Sequence, residues 1–188
     1  ETIKDHYYKV DGKIYPSVST VLAYYPKSAQ LISWMQEKGQ MEADRIKTEA
    51  GEAGTKIHSA IELLIAGNEM RKEDFTLVEW LKLQGFVNWH RDYKPEYLKT
   101  ELMLCSKKYK YAGKTDCLAK IDGTLYLIDW KSSRNLQPSF ALQTAAYAQA
   151  YTEMKLGKVD RTAILQLGVN KSGYRFAEYD NWKKDFKV

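Results

Sequence analysis

Cysteine is scarce in this chain: Cys105 and Cys117 are the only two among 188 residues. They make no Cys-x-x-Cys pair and no disulfide framework, and they are too few for the four thiolates of an iron–sulfur cluster. A reducing interior compartment is expected. Long apolar runs are missing as well, since nothing approaches the ~18 consecutive apolar residues of a membrane-spanning helix. The opening residues Glu1 to Tyr8 have neither the apolar stretch of a secretory signal nor the Arg/Ser-rich character of a transit peptide. The expectation is a cytoplasmic protein of a bacterial or phage-infected cell, with an organelle matrix as the alternative and no membrane partner. The 4 prolines and 11 glycines are scattered rather than gathered into a linker, and no low-complexity tract or solenoid-period repeat occurs. At this length one domain with a real core is expected rather than two. Hydrophobic residues at 44% and charged residues at 28% are ordinary for a globular protein. Lys and Arg total 29 against 24 acids, and the net charge of +5 leans weakly towards a polyanionic partner.

The chain opens with a hairpin pattern, Tyr7 to Tyr15 around Asp11-Gly12. A helix is expected from about Ser28 to Glu49, interrupted by Gly51 and Gly54. A second helix, Thr55 to Ala66, carries the apolar stripe Ile57, Ile61, Leu64 and Ile65 and places His58 and Glu62 on one flank. A third runs from Asp74 to about Tyr93, and Trp34, Trp80 and Trp89 are assigned to the core. A strand from Tyr97 to Ser106, a hairpin from Gly113 to Lys131, a helix with Ser139 as N-cap, and strands Thr162 to Asn170 and Tyr174 to Tyr179 complete the pattern. The expected class is α/β: one mixed central sheet flanked by helices, with residues 1–95 mainly helical and residues 96–180 forming the sheet core.

The most informative stretch is the hairpin. Asp122-Gly123 is a strong type I′ turn signal, because both central residues of that turn need positive φ. Counting back residue by residue sets Asp116 directly opposite Asp129, and alternation puts Lys131 on the same face as Asp129. The hairpin strands are apolar on both faces, with Leu118, Leu125 and Leu127 on one and Ala119, Tyr126, Ile128 and Trp130 on the other. Such strands are central and covered. Two facing carboxylates in a core sheet repel each other and pay heavily for lost hydration, so a compensating divalent cation is expected. Mg²⁺ or Mn²⁺ takes carboxylate oxygens, and a neighbouring lysine can orient or deprotonate water. The set Asp, then Asp-x-Lys, therefore suits metal-assisted phosphodiester hydrolysis. Just before it, Lys107, Lys108 and Lys110 alternate with Tyr109 and Tyr111. That interleaving suits phosphates and stacked bases, with a plain solvated loop as the alternative. Ser132 and Ser133, directly after Lys131, complete the candidate nucleic-acid contacts.

Asp116 followed by Ile128-Asp129-Trp130-Lys131 resembles the signature of the PD-(D/E)XK nuclease superfamily. More narrowly, it is similar to the RecB-like exonuclease branch that includes the mitochondrial genome maintenance exonuclease and its phage and bacterial relatives. Further matching pieces are Pro16-Ser-Val-Ser-Thr-Val21, Gly54-Thr-Lys-Ile-His58-Ser-Ala-Ile-Glu62, the strand with Glu101, and Leu142-Gln143-Thr-Ala-Ala-Tyr147. They span residues 16–150 in the family's order. The resemblance implies a restriction-endonuclease-like core and a metal-dependent DNA exonuclease preferring single-stranded ends. It implies metal ligation by His58, Asp116, Asp129 and the Trp130 carbonyl, with Glu101 a further ligand or a support. Lys131 would be the catalytic lysine, and Gln143 and Tyr147 would steady the lysine, the water or a DNA phosphate. Thr115 stands where the superfamily's name has proline. Two alternatives share these residues: an endonuclease built on the same core, and a nucleic-acid-binding module that performs no chemistry.

Overall fold

The structure, a computed structural model, describes residues 2–4 and 7–187. The chain begins with a small antiparallel sheet of β1 (Thr2–Lys4), β2 (Tyr7–Val10) and β3 (Lys13–Pro16). Asp11 and Gly12 both have positive φ at its hairpin, as a two-residue type I′ loop requires. Next come three helices, α1 (Val18–Leu22), α2 (Ala29–Lys38) and α3 (Gln40–Ile65). Ser17 caps α1 and Ser28 caps α2, each accepting a backbone N–H one turn in.

The helix break does not fall at Gly51 and Gly54, as the sequence had suggested. It falls at Gly39, whose φ of 75° ends α2, while α3 runs 26 residues through both later glycines. A glycine inside a helix costs about 1 kcal/mol relative to alanine, and packing of the Ile57, Ala60 and Ile61 face outweighs that cost. After a single 3₁₀ turn, α4 (Leu77–Tyr93) starts with a complete capping box between Thr76 and Glu79.

The main sheet follows, from β4 (Glu96–Ser106), β5 (Tyr111–Ile121), β6 (Thr124–Lys131), β7 (Arg161–Leu167) and β8 (Tyr174–Tyr179), in that spatial order. Neighbours are antiparallel except β6 and β7, which are parallel and joined by the crossover helix α5 (Pro138–Glu153). Pro138 occupies the first turn of α5 and Gln137 is its N-cap, so Ser139 lies inside the helix. A short α6 (Trp182–Asp185) closes the chain.

Asp122 and Gly123 form the β5–β6 turn with φ of 47° and 77°. From there the ladder runs back in register from Ile121–Thr124 to Cys117–Ile128. Side chains alternate between two cores. Cys117, Ala119, Tyr126, Ile128 and Trp130 pack with residues of α3 and α4, whereas Leu118 and Leu127 pack with residues of α5, α1 and α6. The sheet is therefore covered on both faces, a mixed α/β sandwich of helix, sheet and helix. Among the described residues, no helix is long and apolar enough to cross a membrane.

Candidate active site

The paired ladder stops one position short of the two aspartates. Instead of lying bare against Asp129, the Asp116 carboxylate turns to accept the backbone N–H of Trp130, with Oδ2 2.7 Å from N. Its other oxygen lies 3.3 Å from His58 Nδ1. Asp129 Oδ2 lies 2.5 Å from Lys131 Nζ. The register set by the turn holds as far as Cys117–Ile128, and just beyond it each carboxylate has a partner of its own. Part of the compensation assigned to a cation comes from a main-chain donor, an imidazole and an ammonium, all from this chain.

The compensation is incomplete at Asp129. Its side chain is 4% exposed, and although Lys131 supplies charge at Oδ2, no donor among the described residues meets that oxygen in hydrogen-bonding geometry. Burial, the largest influence, pushes the Asp129 carboxyl up to about 6; Asp116 adds to this, while Lys131 and His58 oppose it. At His58, burial disfavours the imidazolium, but the charge and hydrogen bond of Asp116, with the charge of Asp129, outweigh it. The ring's pKa is raised in consequence. Lys131 also sits over the Phe140 ring, 4.9 Å from its centroid, so α5 helps to fix the ammonium.

The other side chains assigned from the sequence divide into those gathered here and those held elsewhere. Gln143 donates to the Tyr147 hydroxyl across 3.1 Å, so the two are linked as a pair. Tyr147 is buried against Gly113, where any Cβ would come within 2.7 Å of the ring. Burial first, and then the charge of Asp129, raise the pKa of its phenol. Trp130 has its indole buried against Phe86 and Trp89, so its main chain is what it offers to the site.

Beside this cluster lies an open cleft of about 980 Å³, whose lining includes His58, Glu62, Glu101, Lys114, Lys131 and Ser132. Ser133 lines it too, held by Gln166 of β7, whose amide donates to the carbonyls of Ser133 and Arg134 at 2.9 and 2.8 Å. Gly54 lets α3 approach this loop, since a Cβ there would stand 3.3 Å from Ser132 Oγ.

Glu101 is ion-paired with Lys114 rather than gathered with Asp116 and Asp129. Its φ of 50° is left-handed, a conformation uncommon for a non-glycine residue in a strand. Lys107, Lys108 and Lys110 are not in the cleft lining. They lie in the β4–β5 turn, where Lys107 pairs with Asp11 at 2.6 Å and Lys108 sits over the Tyr109 ring. The cations that line the cleft are Lys114 and Lys131.

Three contributors escaped the sequence reading. Lys114 was detectable, because it stands two residues before Asp116 on one strand and so shares its face. Gln166 was detectable as the amide following the apolar run Ala163 to Leu165 of β7. Phe140 carries no signal in the sequence, since its role depends on where α5 begins.

The two carboxylates and the imidazole are donors of the kind Mg²⁺ and Mn²⁺ accept. The buried Asp129 oxygen without an aligned donor fits such an ion. Among the described residues, no three His, Cys, Asp or Glu side chains already converge on one point. Ion binding would therefore require side-chain movement, with Lys131 yielding Asp129 Oδ2.

No protein-family model matches this chain, and no curated protein matches it. Solved structures similar to it include the crystal structure of SSO0001, 9% identical, with a TM-score of 0.39 over 90% of this chain and 78% of that one. Likeness at this level carries no argument about function.

Proposed function

We propose that this protein is a metal-dependent deoxyribonuclease of the PD-(D/E)XK type, an exonuclease acting on single-stranded ends. The observation that carries this reading is the gathering of His58, Asp116, Asp129 and Lys131 at the carboxyl end of β6, beside an open cleft. Strand ends next to a parallel crossover are where α/β proteins commonly place their ligands.

His58, Asp116, Asp129 and the Trp130 carbonyl would hold Mg²⁺ or Mn²⁺. The ion, when bound, supplies Lewis-acid polarisation of a phosphoryl oxygen and a lowered pKa for water. The chain's own groups do the rest. Asp116, fixed by the Trp130 N–H, keeps its second oxygen directed at His58. Lys131, held between Asp129 and the Phe140 ring, would orient a water and offset charge building on the attacked phosphate. Hydrolysis joins that water's oxygen to phosphorus, breaks one phosphorus–ester bond, and passes a proton to the leaving oxygen. The linked Gln143 and Tyr147 brace the wall behind the carboxylates. Single-stranded DNA as substrate and attack from an end follow the family resemblance. Two buried free thiols suit a reducing compartment.

The test is digestion of end-labelled linear and circular single strands with Mg²⁺ or Mn²⁺, by wild type and Asp129→Ala. Release of short products from linear strands by wild type alone is expected. Efficient cutting of circles would make the protein an endonuclease instead. Equal inertness of wild type and variant, with strand binding retained, would make it a binding module.

A further inference from the structure

The wall of the cleft is short of positive charge for a nucleic acid. Glu62 and Glu101 line it, with Asp116 and Asp129 buried alongside, whereas the lysines lining it are Lys114 and Lys131. Lys131 is committed to Asp129 and is only 19% exposed at its side chain. Lys114 differs: its side chain is 41% exposed, it shares the Asp116 face of β5, and its partner Glu101 is itself accessible from the cleft. An ion pair at such exposure contributes little and exchanges readily. The strained backbone at Glu101 presents that carboxylate to Lys114.

We propose that Lys114 is the phosphate-binding residue of this cleft, exchanging Glu101 for a backbone phosphate of a single-stranded nucleic acid that lies between Lys114 and Lys131. This rests on the nuclease reading and assigns to Lys114 the contact that the sequence pattern had placed at Lys107, Lys108 and Lys110. Those three lie in the β4–β5 turn beyond Tyr111, which is itself about 17 Å along the strand from Asp116 at the rise of an extended chain. Glu101, in the unloaded protein, shields Lys114 from other anions.

The experiment is fluorescence-anisotropy binding of labelled oligothymidylate in EDTA, at several salt concentrations, so that neither cleavage nor a metal ion enters the readout. Lys114→Gln should bind several-fold more weakly, with a log-affinity against log-salt slope shallower by about 0.7, the value for one phosphate contact on a single strand. Lys114→Arg should restore both, and Lys107→Gln should change neither. Glu101→Gln should bind more tightly than wild type, because it frees Lys114, an outcome that a merely structural pair would not give. Wild-type affinity and slope in Lys114→Gln, or an equal loss in Lys107→Gln, would overturn this assignment. If the wild type in that case still digests linear strands with Mg²⁺, the nuclease reading stands without it. A wild type that neither binds nor digests the oligothymidylate would overturn both.

Discussion

At Asp129 burial and charge are in direct conflict. An unfolded aspartate ionises near pH 4, whereas here burial delays ionisation to about pH 6. Between those values the folded state holds the extra proton, so this group's contribution to stability falls as pH rises through the window. The raised pKa of His58 acts in the same direction, its stabilisation being complete below about pH 6.5 and lost as pH rises through the folded value. In EDTA, the difference in melting temperature between Asp129→Asn and wild type should therefore grow in the variant's favour from about pH 4 to about pH 6. A difference that stays constant, or grows the other way, would remove the buried charge from the account. Lys131→Ala separates charge compensation from chemistry. Turnover should fall by about 10²–10³-fold, the usual worth of one donor aimed at charge developing in the transition state, while Mn²⁺ affinity measured by calorimetry persists. Loss of Mn²⁺ affinity instead would mean that Lys131 builds the ion site rather than using it. The positions of Asp116, Asp129 and Lys131 were legible because a two-residue turn and strand alternation dictate them. The Trp130 N–H that donates to Asp116 was not, because it depends on where the ladder stops pairing.

Glycines decide how the helices meet the sheet, and they separate into those that cost stability and those that permit packing. Gly51 lies inside α3 with nothing within 4 Å of an added Cβ. Gly51→Ala should stabilise by roughly 0.5–1 kcal/mol through helix propensity alone, read as a raised denaturation midpoint with an unchanged m-value. Gly85, inside α4, faces the β7–β8 connection so closely that a Cβ would stand 2.1 Å from the Gly173 carbonyl oxygen. Gly85→Ala must force backbone apart and should cost about 1–3 kcal/mol or more. Equal effects from both substitutions would contradict the packing described for α4. The same contrast explains what the sequence hid. Helix propensity marks Gly51 and Gly54 as breaks, yet nothing local distinguishes them from Gly39, which is where the chain turns. The hairpins at Asp11-Gly12 and Asp122-Gly123 were legible because their demand for positive φ is local. The third strand of the small sheet, β1, went unseen because three residues carry too short a pattern.

On the proposed reading, folding and ion binding would meet in the same carboxylates, and the whole chain should register that. The donors come from α3 and from the β5–β6 hairpin, which are far apart in sequence and aligned only in the folded state. An ion that binds the folded chain alone stabilises it by mass action, about 2.7 kcal/mol at a hundredfold excess over its dissociation constant. For a domain of this size that corresponds to roughly 5–10 °C in melting temperature. Since Asp129 must lose its proton and Lys131 must withdraw before the oxygen is free, the shift should grow as pH rises through about 6. The metal-free protein should follow the opposite trend. Asp116→Asn and Asp129→Asn should lose most of the Mn²⁺-induced shift, whereas Glu101→Gln should keep it, because that carboxylate is held by Lys114. Thermal scans with Mn²⁺ and with EDTA across that pH range distinguish the cases. A wild-type midpoint indifferent to Mn²⁺, or a shift of equal size in Asp129→Asn, would mean that the gathered acids answer only to Lys131, His58 and the Trp130 N–H, and that the cleft works without a resident cation.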